Sequence, residues 1–150
     1  MSSRSVPFEC HWQASRLLLA GYLLALLLAG AAVMISAVPV LFKGGLISLC
    51  LAHAAWTLPR RILLSHRSAW SGLRQDDGTW QLFSLERGWQ PVQLRRDSLA
   101  LPVAVILRYR LPGQWFARGL CIARDAMPVD EHRRLRVRLK FSRRRWAAPE

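Results

Sequence analysis

Long stretches without charge alternate with short stretches crowded with it. Residues 17–42 hold no charged side chain and neither do residues 44–58, so Lys43 alone separates two apolar runs. The first, LLLAGYLLALLLAGAAVMIS at 17–36, is 20 residues long. As a helix it spans about 30 Å, the hydrocarbon thickness of a bilayer. Its eight leucines each favour insertion by roughly 0.3–0.6 kcal/mol. A core helix of a soluble protein keeps a polar stripe, and this run has none. A cleaved signal sequence is the rival reading, with Arg4 and Arg16 as a basic start and Ala29-Gly30-Ala31 as a cleavage site. The run is longer than a typical signal core, and a second apolar run follows almost at once.

That second run covers 40–58. Lys43 would cost about 3 kcal/mol at a helix centre, but near the helix start its stem can snorkel to the interface. Ala37-Val38-Pro39 supplies the break, since proline cannot continue a helix from the preceding turn. The pattern predicts a transmembrane helical hairpin over 17–58, with helices at 17–36 and 40–58 and Lys43 beside the outer turn at 37–39. Arg4 and Arg16 precede it and Arg60, Arg61 and Arg67 follow it. The positive-inside rule then places both termini in the cytoplasm, with residues 1–16 as a cytoplasmic tail. Trp12 and Trp56 fall at the inner interface, beside Arg60 and Arg61. Gly21, Ala25 and Ala29 recur every four residues, and Ser48, Ala52 and Ala55 do something similar. Small residues so spaced let helices approach closely, within the hairpin or between copies as a homo-oligomer seam. His53 is expected to hydrogen-bond across the hairpin.

From 59 onward the texture changes. Asp77-Gly78, Glu86-Arg87-Gly88 and Pro112-Gly113 are turn signals. Between them lie runs of strand length at 80–85, 89–94, 99–109 and 115–123. Pro102 marks an edge or bulge in the third. A small antiparallel sheet of four or five strands is predicted. After Asp125 the period lengthens. Pro128 suits a first helical turn, and Asp130 and Glu131 its positive end. A helix over 128–141 would lay Leu135, Leu139, Val129 and His132 on the sheet and show a basic face. The fold class is therefore membrane α+β: a helical hairpin, then a sheet with a C-terminal amphipathic helix.

Charge sharpens this division. Residues 59–150 carry 19 of the 22 Lys and Arg and 8 of the 9 Asp and Glu, a net +11. Such a surface suits anionic inner-leaflet lipid, at about 1 kcal/mol per cation near the membrane. It also suits an acidic protein docked on Arg133, Arg134, Arg136 and Arg138. Nucleic acid is disfavoured as a partner, because the tryptophans that would stack on bases sit in strand-like runs. Cys10, Cys50 and Cys121 make no disulfide framework. No nucleophile elbow or glycine-rich phosphate loop is present, and the Cys50/His53 pair lacks further metal ligands. Neither catalysis, cofactor nor metal is expected.

The order of parts resembles a known family. A hairpin ends in PRR; DDGTW, GWQPVQL and VILRYR follow; ARDAMPVDEHRRLRVRL closes the series with an Asp125-x-Met127 step into an arginine-rich helix. This is similar to the YgfX (CptA) family, and the likeness covers nearly the whole chain. The residues that carry over are Trp80, Trp89, Asp125, Met127, Arg133, Arg134, Leu135 and Arg136, none with a catalytic role. The resemblance implies a two-span inner-membrane toxin component of a toxin–antitoxin-like pair. Its targets would be tubulin-like and actin-like cytoskeletal proteins of cell division and shape. Its partner would be a small acidic protein of the SdhE (CptB) type. A role beside that partner in succinate dehydrogenase flavinylation is the alternative, and a basic lipid- or nucleic-acid-binding module is the second alternative.

Overall fold

A computed structural model describes residues 7–76 and 78–141; Arg4, Asp77 and the basic stretch 143–145 with Trp146 lie outside the described residues. The chain runs β1 (Phe8–His11), α1 (Arg16–Ile35), α2 (Val40–Thr57), a π-helical stretch (Leu58–Ile62), β2 (Trp70–Asp76), β3 (Thr79–Ser84) and β4 (Gly88–Leu94). It continues with β5 (Leu99–Ala100), β6 (Ala104–Arg110), β7 (Arg118–Ala123), a 3-10 turn (Arg124–Ala126) and α3 (Val129–Phe141).

Helices α1 and α2 form the expected hairpin. No residue of α1 is buried and only Ala54 of α2 is, so no protein core solvates the leucines. Both Arg16–Ile35 and Val40–Ile62 are long and apolar enough to cross a membrane. Lys43 Nζ reaches back across the turn and donates to the Met34 carbonyl at 2.9 Å. Ser36 Oγ donates to Val33 O at 2.6 Å. Both satisfy carbonyls that a helix C-terminus leaves without partners. Deeper in, the Tyr22 hydroxyl lies 2.9 Å from His53 Nδ1, with the rings stacked. This pair is a polar tie between the two helices. Burial is shared by Tyr22, Leu26, Gly30 and Val33 with Ile47, Cys50 and Ala54. Gly21, Ala25, Ala29, Ser48, Ala52 and Ala55 are exposed, and a methyl added at Gly21 would meet nothing within 4 Å. Ala25 and Ala29 nonetheless border the space between the helices, with Tyr22, Leu26, Cys50 and His53.

The strands form one curled antiparallel sheet in the order β1-β2-β3-β4-β6-β5, with β7 on β6. Its first member lies within the segment expected as an N-terminal tail. Phe8–His11 pairs with β2, from Phe8↔Gln75 to His11↔Gly72, so the segment before the hairpin joins the sheet that follows it. Trp12, expected at the membrane interface, is instead only 5% exposed. Its indole N–H donates to Trp70 O at 2.9 Å. Strand β1 carries it beneath the sheet, where a large apolar ring gains more from packing than from the headgroup layer.

The run 99–109 splits where Pro102 stands, and β5 folds back onto β6 through Leu99↔Ile106 and Ala100↔Val105. The run 115–123 shortens from its start. Gln114 N donates to Leu111 O at 3.1 Å to close a turn, which leaves Trp115 and Phe116 in the loop before β7. Gly78, Gly88 and Gly113 take positive φ at the turns, where side chains are strained. Gly72 is needed for space: a Cβ there would lie 2.8 Å from His11 Nδ1. Leu73, Leu82, Val105, Leu107, Ile122 and Leu135 are fully buried. Helix α3 lays His132, Leu135 and Leu139 on this core, while Val129 remains exposed.

Candidate functional site

Helix α3 starts with Asp130 and Glu131 and ends with Arg138 and Lys140, each sign at the end of the dipole that favours it. Its outer side and strand β1 enclose an open groove of about 880 Å³, lined by Phe8, Glu9, Arg133, Arg134, Val137 and Phe141 among others. The Arg138 guanidinium lies 5.1 Å from the Phe8 ring centre, a distance at which the cation is drawn to the ring face. The groove therefore has an apolar floor and a guanidinium rim, with Glu9, Asp130 and Glu131 among its lining residues. The ion pairs among the described residues are His11–Glu9, Arg95–Asp97 and Arg108–Asp97; Arg133 and Arg134 take part in none of them and are exposed.

The other residues proposed for partner binding separate from this group. Met127 is buried in the core. Arg136 is half-buried, and its Nε is enclosed without a partner among the described residues. Asp125 caps α1 across the molecule. Ser15 Oγ donates to Asp125 Oδ1 at 2.5 Å, Leu17 N donates to Oδ2 at 3.0 Å, and Leu18 N donates back to Ser15 Oγ at 3.0 Å. Gln13 N adds a bond to Ala126 O at 2.8 Å. This junction joins the hairpin to the sheet domain. Burial pushes the Asp125 carboxyl up, but the Ser15 hydroxyl and the Leu17 and Arg16 N–H groups outweigh it and hold it below the usual carboxylate range.

Burial lowers the His132 imidazole, and Arg136 and Arg124 push the same way against a hydrogen bond to the Ile122 backbone. Its Nε2 has no partner among the described residues. This is a neutral core histidine. Burial likewise pushes the Cys10 thiol up to about 12, which removes it from thiolate chemistry. No group of three His, Cys, Asp or Glu placed to hold a metal occurs among the described residues. At the foot of the hairpin, Trp56 and Arg60 stack at the end of α2 with the guanidinium 3.5 Å over the indole, and Arg61 is exposed beside them.

Sequence reasoning missed Phe8, Glu9, Val137 and Phe141 as groove residues. The alternation Phe8, Cys10 against Glu9, His11 is a strand signal, but four residues followed by a membrane helix are too few to stand out.

Comparison with known proteins agrees with this architecture. A family model described as the membrane-bound toxin component of a toxin–antitoxin system matches residues 6–143. No curated protein and no solved structure matches the chain. With a membrane-type hairpin, a basic sheet domain and a match over nearly its full length, the chain belongs to this family of membrane-bound toxin components, the CptA toxins.

Proposed function

We propose that the protein is a non-enzymatic toxin component that works by holding a protein partner in the groove between β1 and α3. The carrying observation is the pairing of an apolar floor, Phe8, Val137 and Phe141, with the exposed Arg133 and Arg134. Such a surface fits an amphipathic acidic segment, whose apolar side chains fill the groove while its carboxylates meet the guanidinium fork. An antitoxin of the small acidic SdhE (CptB) type has that chemistry. The tubulin-like and actin-like proteins of cell division and shape are the targets that the family resemblance suggests. Orientation follows from the cations: Arg16 before the hairpin and Arg60, Arg61 and Arg67 after it put both termini on the cytoplasmic side of the inner membrane, with Lys43 at the outer turn. Anchoring there raises the local concentration of the groove for membrane-associated partners.

Charge reversal tests the reading. The variant Arg133→Glu/Arg134→Glu/Arg138→Glu, purified in detergent, is expected to lose capture of the acidic partner and growth inhibition while it still sediments with membranes. Capture equal to that of the unaltered protein would overturn it.

A further inference from the structure

The loop between β6 and β7 presents two neighbouring aromatic rings to solvent. Trp115 is 89% exposed and Phe116 is 84% exposed. The loop itself is held in shape. Leu111 is buried, Gln114 N donates to Leu111 O, and the Arg110 guanidinium donates to the Gln114 carbonyl. Exposed adjacent aromatics on an ordered loop mark a contact surface, because leaving them in water forgoes the burial that such rings otherwise gain.

Their place in the fold indicates what covers them. The strand that follows the loop lies against the foot of the hairpin. A cleft of about 670 Å³ is lined by Ala117 and Arg118 on one side and Trp56, Arg60 and Arg61 on the other. Leu120 and Cys121 border a second, narrow space with Ser15 and Leu18 at the start of α1. The base of the loop thus stands beside the end of α2, and the strand that leaves it runs on to the start of α1. Trp56 is itself 63% exposed there, as an indole in the headgroup layer would be.

We propose that Trp115 and Phe116 seat in the interfacial layer of the same bilayer that the hairpin enters, with Arg60, Arg61 and Arg118 facing lipid phosphates. The loop is a third membrane contact, outside the two spans. It adds a second hold on the orientation of the sheet domain, beside the junction that Ser15 and Asp125 make. This inference needs the membrane-bound hairpin but not the toxin role or the groove.

The test uses the full chain reconstituted in vesicles of phosphatidylcholine and phosphatidylglycerol whose acyl chains carry bromine near the headgroup. Bromine quenches tryptophans that touch the interface. Unaltered protein and Trp115→Phe are compared, since phenylalanine keeps the apolar contact and removes the reporter. The lipid-quenched emission is expected to lose a clear share in Trp115→Phe, leaving the share owed to Trp56. In addition, Trp115→Ser/Phe116→Ser is expected to remain membrane-inserted while its sheet domain becomes more open to added protease. A Trp115 signal that bromolipid leaves untouched and aqueous acrylamide quenches freely would overturn the proposal and assign the loop to a protein partner.

Discussion

The two halves of this molecule are held together by opposite means. In the sheet domain, Leu73, Leu82, Leu107 and Leu135 are sealed from solvent by protein. In the hairpin, Leu27 stands 72% exposed and nothing in α1 is buried. Leucine is the commonest apolar residue of both. In one half it is solvated by neighbouring side chains, packed at crystal density. In the other the solvent is hydrocarbon, and the protein contributes only a few polar ties such as Tyr22–His53 and Lys43–Met34. Equal substitutions should therefore have unequal effects, and that inequality can be measured.

The largest contrast lies between two leucines. Leu107→Ala is expected to lower domain stability by about 2–5 kcal/mol, the cost of a buried cavity, read from thermal unfolding in detergent. Leu27→Ala should shift only insertion, by about 0.3–0.6 kcal/mol. Equal effects would abolish the distinction. Next comes Gly72→Ala, which forces a methyl against the His11 ring and Phe83. Overpacking of this kind costs about 1–3 kcal/mol, and the loss should be recovered in part by His11→Ala.

Acid probes the same core. His132 has a lowered pKa in the fold, so the unfolded chain binds the proton more readily. Stability is then full above the ordinary imidazole value of 6.5 and declines as pH falls below it. Unfolding followed from neutral to mildly acidic pH should show that decline, and His132→Gln should flatten it. At the junction between the halves, Ser15→Ala removes the N-cap of α1 and the partner of Asp125, at a cost of about 1 kcal/mol. Hydrogen exchange should rise in the first turn of α1 and leave the sheet core unchanged. Within the hairpin, Tyr22→Phe has an effect as small as that of Leu27→Ala. Loss of its bond to His53 should cost about 0.6 kcal/mol, visible only as a change in helix–helix distance or detergent resistance.

What the sequence reveals follows the same division. The hairpin is legible because composition alone decides it: charge-free runs of membrane length have few other homes. Helix α3 is legible from its period and its charged ends. Strands β3 and β4 appear within a residue of their predicted bounds. The failures involve partners distant in sequence. Strand β1 is too short to announce itself and exists because β2 lies beside it. Trp12 resembles an interface residue by its closeness to α1, yet tertiary packing draws it inward. Asp125 stands in the stretch most specific to the family resemblance, and only the fold shows that it holds the start of α1, 110 residues away from Ser15. The small-residue repeat is readable, and so is His53 as a group that bonds across the hairpin; its partner Tyr22 is shown only by the fold. Of the groove, the arginines were visible and the floor was not, since β1 and α3 come from opposite ends of the chain.

The pairing of β1 with β2 has a consequence for how the protein is made. Trp12 needs Trp70, 58 residues later, and both helices are synthesised in between. At ribosomal elongation speeds the amino-terminal strand waits about 3–12 s for its mate. It must wait on the compartment side where residue 70 will emerge, so only a round trip by the intervening chain leaves the two within reach. The ribosome therefore completes both helices before β1 can pair with β2 and the groove between β1 and α3 can close.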